Sequence, residues 1–239
     1  MAPKTKNTTF ARERVTALLK TNADGSKQFG LRDQHKKLST DWGVRFADAW
    51  ITKHISTTLK IRELFAQPTW LGCDSETTGR GTNTELCELA FLRPDASPAL
   101  DILIKPTIPI QIGASNIHGI TNEHLKNSPS LPEVMPQIQS ALSGVSAVMW
   151  YNKDYDIGVC NQSTFAWGLP DIVWPDIIDV MLFVSAWIGD WNKNQDGFRY
   201  ARLEGGHRAA GDVREMLDIM RLMASSDVTY AKGLVINGS

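Results

Sequence analysis

The sequence contains little that would form a disulfide framework or cross a membrane. Its three cysteines, Cys73, Cys87 and Cys160, lie far apart inside apolar segments, and this odd, scattered set favours buried thiols over disulfides or a zinc site. No apolar run approaches the roughly 18 to 20 residues that span a bilayer. The basic N-terminus is not followed by the apolar stretch of a signal peptide. These absences predict a cytoplasmic protein without a membrane partner.

The net charge of −1 conceals two segments of opposite charge. Residues 1–66 hold 13 Lys/Arg and 6 Asp/Glu, whereas residues 67–239 hold 12 Lys/Arg and 20 Asp/Glu. A basic segment attracts a polyanion, while excess carboxylates need a cation or basic neighbours. We therefore predict a basic N-terminal extension over residues 1–66 and one main domain over residues 67–239.

Hydrophobic periodicity predicts helices in the extension and alternating strands and helices in the main domain. The extension is expected to form a short helix over 8–19, a turn-rich break and a longer helix after Ser39. The strands expected in the main domain are one beginning near Pro68 and others at 86–92, 99–104 and 145–151, with a strand or helix entry at 177–179. The helices expected are 131–142, 155–167, 180–187 and 207–224. Leading strands followed by alternating helices predict a mixed α/β sheet covered by helices.

Two carboxylates end the first expected strand. Asp74 and Glu76 are two residues apart, so both side chains point to one side of a strand. Such groups repel each other unless protons or a metal intervene, and Mg²⁺ or Mn²⁺ prefers oxygen ligands. Taken alone, a pair of this kind is more often a solvated strand end.

Further candidate residues come later in the chain. Asp156 is expected at the start of a helix, where the helix dipole favours negative charge. His207 and Asp212 are five apart, about 140° around a helix, so the histidine is expected before the helix and the aspartate within it, both facing one cleft. Taken singly, Asp156 would be a helix-terminal carboxylate and His207 a surface histidine.

The ordered set DSETTG, YNKDYD and HRAAGD resembles the three signature segments of the DnaQ-like exonuclease superfamily, in its DEDDh branch. Residues 115–121, SNIHGIT, look like the HGIT segment of the same superfamily. The resemblance covers roughly residues 68–225. It implies a ribonuclease-H-like fold, a mixed five-stranded sheet flanked by helices, to which this chain adds a helical N-terminal extension.

The resemblance also implies residue roles. The four matches to its metal-binding carboxylates are Asp74, Glu76, Asp156 and Asp212, and His207 matches its general base. The expected nucleotide-binding residues are Thr77, Thr78, His118 and Asn152. Two ions, Mg²⁺ or Mn²⁺, would activate a water and stabilise the leaving 3′ oxygen, and the histidine would take the proton from that water.

Aromatic and basic residues cluster just before the third signature segment. The set comprises Trp187, Trp191, Phe198, Tyr200, Lys193, Arg199, Arg202 and Arg208. Aromatic rings interleaved with cations suit stacking on unpaired bases and contact with phosphates. The alternative is that Trp187 belongs to the core and the others form a loop near the site.

Three functional hypotheses follow. The first is a 3′-to-5′ exonuclease that releases nucleoside 5′-monophosphates from a free 3′ end of single-stranded DNA. The second is the same chemistry on RNA or very short oligonucleotides, because a single sequence does not expose how the 2′-OH is discriminated. The third is a non-catalytic role, in which the extension recruits this exonuclease-fold subunit to a nucleic-acid-processing complex. The extension is also the expected contact for a second copy, as a homodimer, or for a protein partner.

Overall fold

The computed structural model describes residues 19–21, 27–29, 41–189, 191–192, 197–203 and 206–226. The strands are β1 Leu19–Thr21, β2 Lys27–Phe29, β3 Trp70–Thr77, β4 Leu86–Leu92, β5 Pro98–Leu103, β6 Ala147–Trp150, β7 Asp176–Asp179, β8 Trp191–Asn192 and β9 Gly197–Phe198. The helices are α1 Asp41–Ala66, α2 Ile112–His118, α3 Leu131–Leu142, α4 Lys153–Ala166, α5 Val180–Ile188 and α6 Ala209–Ala224.

The chain divides into two compact units. The one called here the sheet unit comprises residues 65–181 and 205–218. The other, the helical unit, draws on residues 1–64, 182–204 and 219–239. The division of the sequence into an extension over 1–66 and a domain over 67–239 stays a prediction.

The sheet unit contains a five-stranded mixed sheet in the order β5-β4-β3-β6-β7. β3 pairs antiparallel with β4, and β4 pairs antiparallel with β5. β3, β6 and β7 run parallel. The carboxyl ends of the three parallel strands therefore lie at one edge of the sheet, and the predicted mixed sheet is confirmed.

Helices cover both faces of β3. Leu71 and Cys73 pack in one hydrophobic core with residues of α3 and α4. Gly72 points to the other face, where a Cβ atom added to it would come within 2.8 Å of Val213 on α6. Strand side chains alternate between faces, so Asp74 and Glu76 share the face of Gly72, and Ser75 shares the face of α4.

Helix α3 illustrates how sequence pattern sets the packing of this unit. Its buried positions recur at helical spacing: Leu131, Val134, Met135, Ile138 and Leu142. At its start, the Glu133 carboxylate accepts hydrogen bonds from the backbone N–H and the hydroxyl of Ser130, at 2.7 and 2.6 Å. These contacts supply partners at a helix N-terminus, where backbone donors lack them, and explain why this helix begins where the sequence predicts.

The helical unit has its own packing. The rings of His54 on α1 and Trp187 on α5 stack with centroids 5.3 Å apart, and His54 Nδ1 lies 2.9 Å from the Trp187 carbonyl oxygen. Trp187 is buried, which agrees with the alternative that it belongs to a core. Within the described ranges, no helix is long and apolar enough to span a bilayer. Residues 8–18 of the helix expected over 8–19 lie outside the described residues. Its last residue, Leu19, begins β1, which pairs with β2 inside the stretch expected as a turn-rich break.

Candidate active site

Three carboxylates converge where β3 meets α6. Asp74, Glu76 and Asp212 each offer an oxygen atom, and these atoms lie within 4.8 Å of one another. The two strand residues point the same way because they are two apart, and α6 packs on that face. The predicted grouping of Asp74 and Glu76 on one side of the strand is confirmed.

Close packing sets the position of α6 on β3. The Cβ atom that Gly72 lacks would lie 2.8 Å from Val213 Cγ1 and 3.1 Å from Met216 Cε. Val213 follows Asp212 directly in the chain. Glycine at position 72 therefore lets the helix that carries Asp212 approach the strand that carries Asp74.

His207 lies before α6, as its five-residue spacing from Asp212 predicts. The helix begins at Ala209, and His207 has a φ of 49°, in the left-handed region. Non-glycine residues seldom adopt this conformation. Burial raises the pKa of Asp212, and the neighbouring His207 lowers it, so the histidine lies beside the helical aspartate.

Asp156 reaches the site from the helix on the opposite face of β3. It lies in the first turn of α4 and is 4% exposed. The Ser75 hydroxyl donates a hydrogen bond to Asp156 Oδ1 at 2.6 Å. Ser75 points toward α4 because it alternates with Asp74 and Glu76, so one short stretch of β3 contributes two carboxylates and holds a third.

The clustered carboxylates shift one another toward the protonated form. Burial, followed by the charges of Asp156 and Asp212, raises the pKa of Asp74 well above its usual range. Burial and then Asp212 raise the pKa of Glu76 to about 8. Burial raises the pKa of Asp156 to about 7 against the lowering effect of the Ser75 hydroxyl, and burial also raises the pKa of Asp212.

The donor set fits a divalent cation. Clustered carboxylates whose charged forms are disfavoured gain from a positive ion among them, and oxygen is the ligand atom that Mg²⁺ and Mn²⁺ prefer. Asp212 Oδ1 is buried and has no hydrogen-bond partner within the described part of the chain. A buried carboxylate oxygen normally has a partner, and a cation would supply one here.

The carboxylates line a cavity of about 800 Å³. Its wall includes eight of the nine predicted site residues: Asp74, Glu76, Thr77, His118, Asn152, Asp156, His207 and Asp212. The structure does not bring Thr78 into this cavity. Thr78 is fully buried, and its hydroxyl accepts a hydrogen bond from the Glu85 backbone N–H at 3.0 Å, so it joins two backbone segments behind the wall.

Hydrogen bonds fix the wall formed by His118, Thr77 and Tyr155. His118 Nδ1 accepts from the Ile120 backbone N–H at 3.0 Å, so Nε2 carries the proton that it donates to the Thr77 carbonyl oxygen at 3.1 Å. The Thr77 and Tyr155 hydroxyls both donate to the Gly79 carbonyl, at 2.8 and 3.0 Å. This network joins the end of β3 to α2 and α4, and it holds His118 in the wall of the cavity.

Sequence reasoning missed other residues of the site. Ser75 and Glu88 contact predicted residues or their direct neighbours, and Gln111 and Tyr155 line the cavity. The alternation of strand side chains was the signal available for Ser75. Arg208 is one of the basic residues weighed for phosphate contact, and its guanidinium is paired with the buried Glu88 carboxylate.

Comparisons with known proteins identify the family. A model of the RNase_T exonuclease family matches residues 71–220. An uncharacterized exonuclease, CP81, of Escherichia phage 186 is 29% identical over 167 residues, which cover 63% of this chain and 86% of that protein. The chain belongs to this exonuclease family and is an enzyme, a nuclease, consistent with the DnaQ-like resemblance of its motifs.

Two other similarities cover smaller parts of larger proteins. A PolC-type DNA polymerase III of Streptococcus sanguinis is 29% identical over 119 residues, 48% of this chain and 8% of the polymerase. The crystal structure of E. coli Exonuclease I in complex with a dA16 oligonucleotide matches 70% of this chain and 43% of that chain, with a TM-score of 0.56 and 21% identity. This structural similarity confirms the ribonuclease-H-like fold.

Proposed function

We propose that this chain is a metal-dependent 3′-to-5′ exonuclease that releases nucleoside 5′-monophosphates from single-stranded DNA. One observation carries the proposal: Asp74, Glu76 and Asp212 converge within 4.8 Å in a cavity also lined by Asp156 and His207. Carboxylates grouped with a histidine form a set suited to metal-assisted hydrolysis of a phosphodiester.

The four carboxylates would hold two ions, Mg²⁺ or Mn²⁺, which when bound lower the pKa of water and offset charge at the leaving oxygen. His207 takes the proton from the attacking water, because a histidine ring exchanges protons near neutral pH. Its placement ahead of α6 leaves it exposed at the cavity that Asp212 also lines.

The rest of the wall suits a nucleotide. A cavity of about 800 Å³ lies within the size range of small-ligand sites. Ile117 and Tyr155 are partly exposed there and offer apolar surface to a base, and Arg80 is the one Lys or Arg among the described lining residues. We assign Arg80 to a backbone phosphate of the bound strand and the wall of Thr77, His118 and Asn152 to the terminal nucleotide, whose enclosure would restrict cleavage to an end.

DNA is the preferred polymer in this proposal because of what similar proteins are named for. Relatives include PolC-type DNA polymerases, and the solved Exonuclease I holds a dA16 oligonucleotide. RNA is the second candidate substrate, and the experiment below compares it with DNA. The roles of residues 1–66 in binding nucleic acid, a second copy or a protein partner, and the cytoplasmic location, stay predictions.

The test is digestion of single-stranded DNA that carries a 5′ label, alongside a closed circle of the same sequence and an RNA strand of equal length. With Mg²⁺ or Mn²⁺, the linear DNA is expected to shorten stepwise from its 3′ end and to release nucleoside 5′-monophosphates. EDTA is expected to stop the reaction. Loss of the 5′ label as the first product, or nicking of the circle, would contradict the proposal, and faster shortening of RNA would move the substrate to the second hypothesis.

A further inference from the structure

A buried carboxylate on the strand next to β3 holds the third signature segment. Glu88 on β4 is 3% exposed. Arg208 Nε donates to both Glu88 oxygen atoms at 3.0 Å, and Arg208 Nη2 donates to Oε1. The backbone N–H of Ala209, the first residue of α6, donates to Oε2 at 2.9 Å. Glu88 therefore binds both a side chain and the N-terminus of the helix.

This contact lies between the parts of the proposed active site. Glu88 is directly opposite Glu76 in the antiparallel register of β3 and β4, so both side chains point to the same face. Arg208 follows His207 and precedes α6, which carries Asp212. The contact thus connects the sheet beside Asp74 and Glu76 to the segment that supplies His207 and Asp212.

Glu88 is a poor metal ligand in this arrangement, although it lies among carboxylates. Both of its oxygen atoms already accept hydrogen bonds, and the convergent group of Asp74, Glu76 and Asp212 does not include it. The guanidinium and the helix N-terminus also offset its negative charge. The Glu88 carboxylate is therefore occupied by its contacts with Arg208 and with the start of α6.

We propose that Glu88 and Arg208 are a positioning pair that sets where His207 and Asp212 lie relative to Asp74 and Glu76. The proposal rests on the proposed function for the roles of those four residues. Neither member of the pair needs to touch the substrate. Misplacement of a reacting group by about 1 Å can cost roughly 100-fold in rate, so losing the pair should slow turnover rather than weaken substrate binding.

The experiment compares Glu88→Gln, Arg208→Gln, Arg208→Lys and the double variant Glu88→Gln/Arg208→Gln in the full chain. Arg214→Gln is the matched control, because it removes an exposed positive charge from α6, the helix that follows Arg208. Three quantities are measured: Mn²⁺ affinity by electron paramagnetic resonance, kcat and KM on single-stranded DNA, and the melting temperature. The Mn²⁺ measurement needs no turnover.

Each single glutamine variant is expected to lower kcat about 10- to 100-fold with KM changed less than about 3-fold. Glutamine at position 88 places an NH₂ group next to the N–H donors of Arg208 and Ala209, from which it cannot accept a hydrogen bond. The helix start should then shift, and Mn²⁺ binding should weaken because Asp212 moves with it. The double variant should be no slower than the slower single variant, because paired residues lose one shared interaction. Arg208→Lys should recover part of the rate, since lysine keeps the charge but not the two-pronged contact.

Other results would overturn the pairing. A raised KM with unchanged kcat in Arg208→Gln, and a normal Glu88→Gln protein, would make Arg208 a substrate contact. Additive losses in the double variant, or Mn²⁺ affinity unchanged in every variant, would also contradict it. If Glu88→Gln does not fold, the rates of Arg208→Lys and Arg208→Gln are compared instead, and equal rates in these two variants would contradict the pairing. A parent protein that binds Mn²⁺ but degrades no strand would instead count against the proposed function.

Discussion

Glu76 and Glu88 are cross-strand neighbours with opposite surroundings. They pair directly in the register of β3 and β4, but Glu88 is bonded to Arg208 and to the start of α6. Glu76 lies in the convergent group with Asp74 and Asp212. One carboxylate therefore has its charge offset by the protein, whereas the other depends on a proton or a bound cation.

This difference predicts how stability depends on pH. Burial and neighbouring carboxylates raise the pKa of Glu76 to about 8 and the pKa of Asp74 above its usual range. These two groups bind protons more tightly in the folded protein than in the unfolded chain. The stability that they contribute is therefore fully present below their unfolded pKa and is lost as pH rises toward about 8. Thermal unfolding in EDTA should give a lower melting temperature at pH 8 than at pH 6.

Divalent cations should reverse that trend. A bound cation replaces the protons among the carboxylates, so Mg²⁺ or Mn²⁺ should stabilise the protein more at pH 8 than at pH 6. Melting curves with and without metal at both pH values measure this difference. Equal stabilisation at both pH values would show that the cation binds away from these carboxylates.

Ser75→Ala tests the contact that holds Asp156. The Ser75 hydroxyl lowers the pKa of that carboxyl, so its loss should raise the pKa and move the acidic limb of the kcat/KM profile to higher pH, with kcat reduced about 10-fold. Ser97→Ala is the control, because the Ser97 hydroxyl donates an equally short bond, 2.6 Å, to the exposed Asp95. Identical profiles for both variants and the parent would remove Ser75 from the site.

Gly72→Ala tests the close approach of α6 to β3. A methyl group at position 72 would lie 2.8 Å from Val213 Cγ1, so α6 must shift, and overpacking of this kind costs about 1–3 kcal/mol. Gly158→Ala in α4 is the opposite case, since beyond its chain neighbours and its own helix backbone no heavy atom lies within 4 Å of the added Cβ. This change should stabilise the protein by roughly 0.5–1 kcal/mol. Urea unfolding measures both changes, and a loss in both variants would contradict the packing argument.

His207→Asn separates proton transfer from backbone strain. Asparagine adopts positive φ values more readily than most residues, so it can keep the conformation at φ 49° while it removes the proton acceptor. We expect kcat to fall about 100- to 10,000-fold with Mn²⁺ affinity nearly unchanged. His124→Asn, at an exposed position, is the control, and a His207→Asn protein that loses Mn²⁺ binding would make this histidine a metal ligand rather than a base.

The sequence predicted those helices and strands whose buried residues recur at a regular spacing. The bounds of β4 and α3 follow directly from an apolar run and from a capped amphipathic stretch. Helix α2 was missed because it spans seven residues, has no side-chain cap at Gln111, and leaves Ile112 exposed. The β8–β9 pair was missed as well, since two-residue strands carry no periodicity.

The site residues that lie in the ordered signature segments could be predicted from the sequence. Eight predicted residues line one cavity, whereas the place of Thr78 behind the wall depends on its bond to Glu85 across a loop. Glu88 could not be found from sequence, because its partner Arg208 lies 120 residues further along the chain and only the antiparallel register brings them together. Such contacts depend on tertiary structure, which spacing does not encode.

The most direct test of the central claim compares Asp156→Asn with Asp154→Asn in the shortening of 5′-labelled single-stranded DNA with Mg²⁺. Both changes remove one carboxylate from the first turn of α4, but Asp156 is buried at the cavity. Asp154 is exposed and bonded to Lys153 at 2.6 Å. We expect activity to fall at least about 100-fold in Asp156→Asn and shortening by Asp154→Asn to match that of the parent protein. Full activity of Asp156→Asn in a folded protein would contradict it.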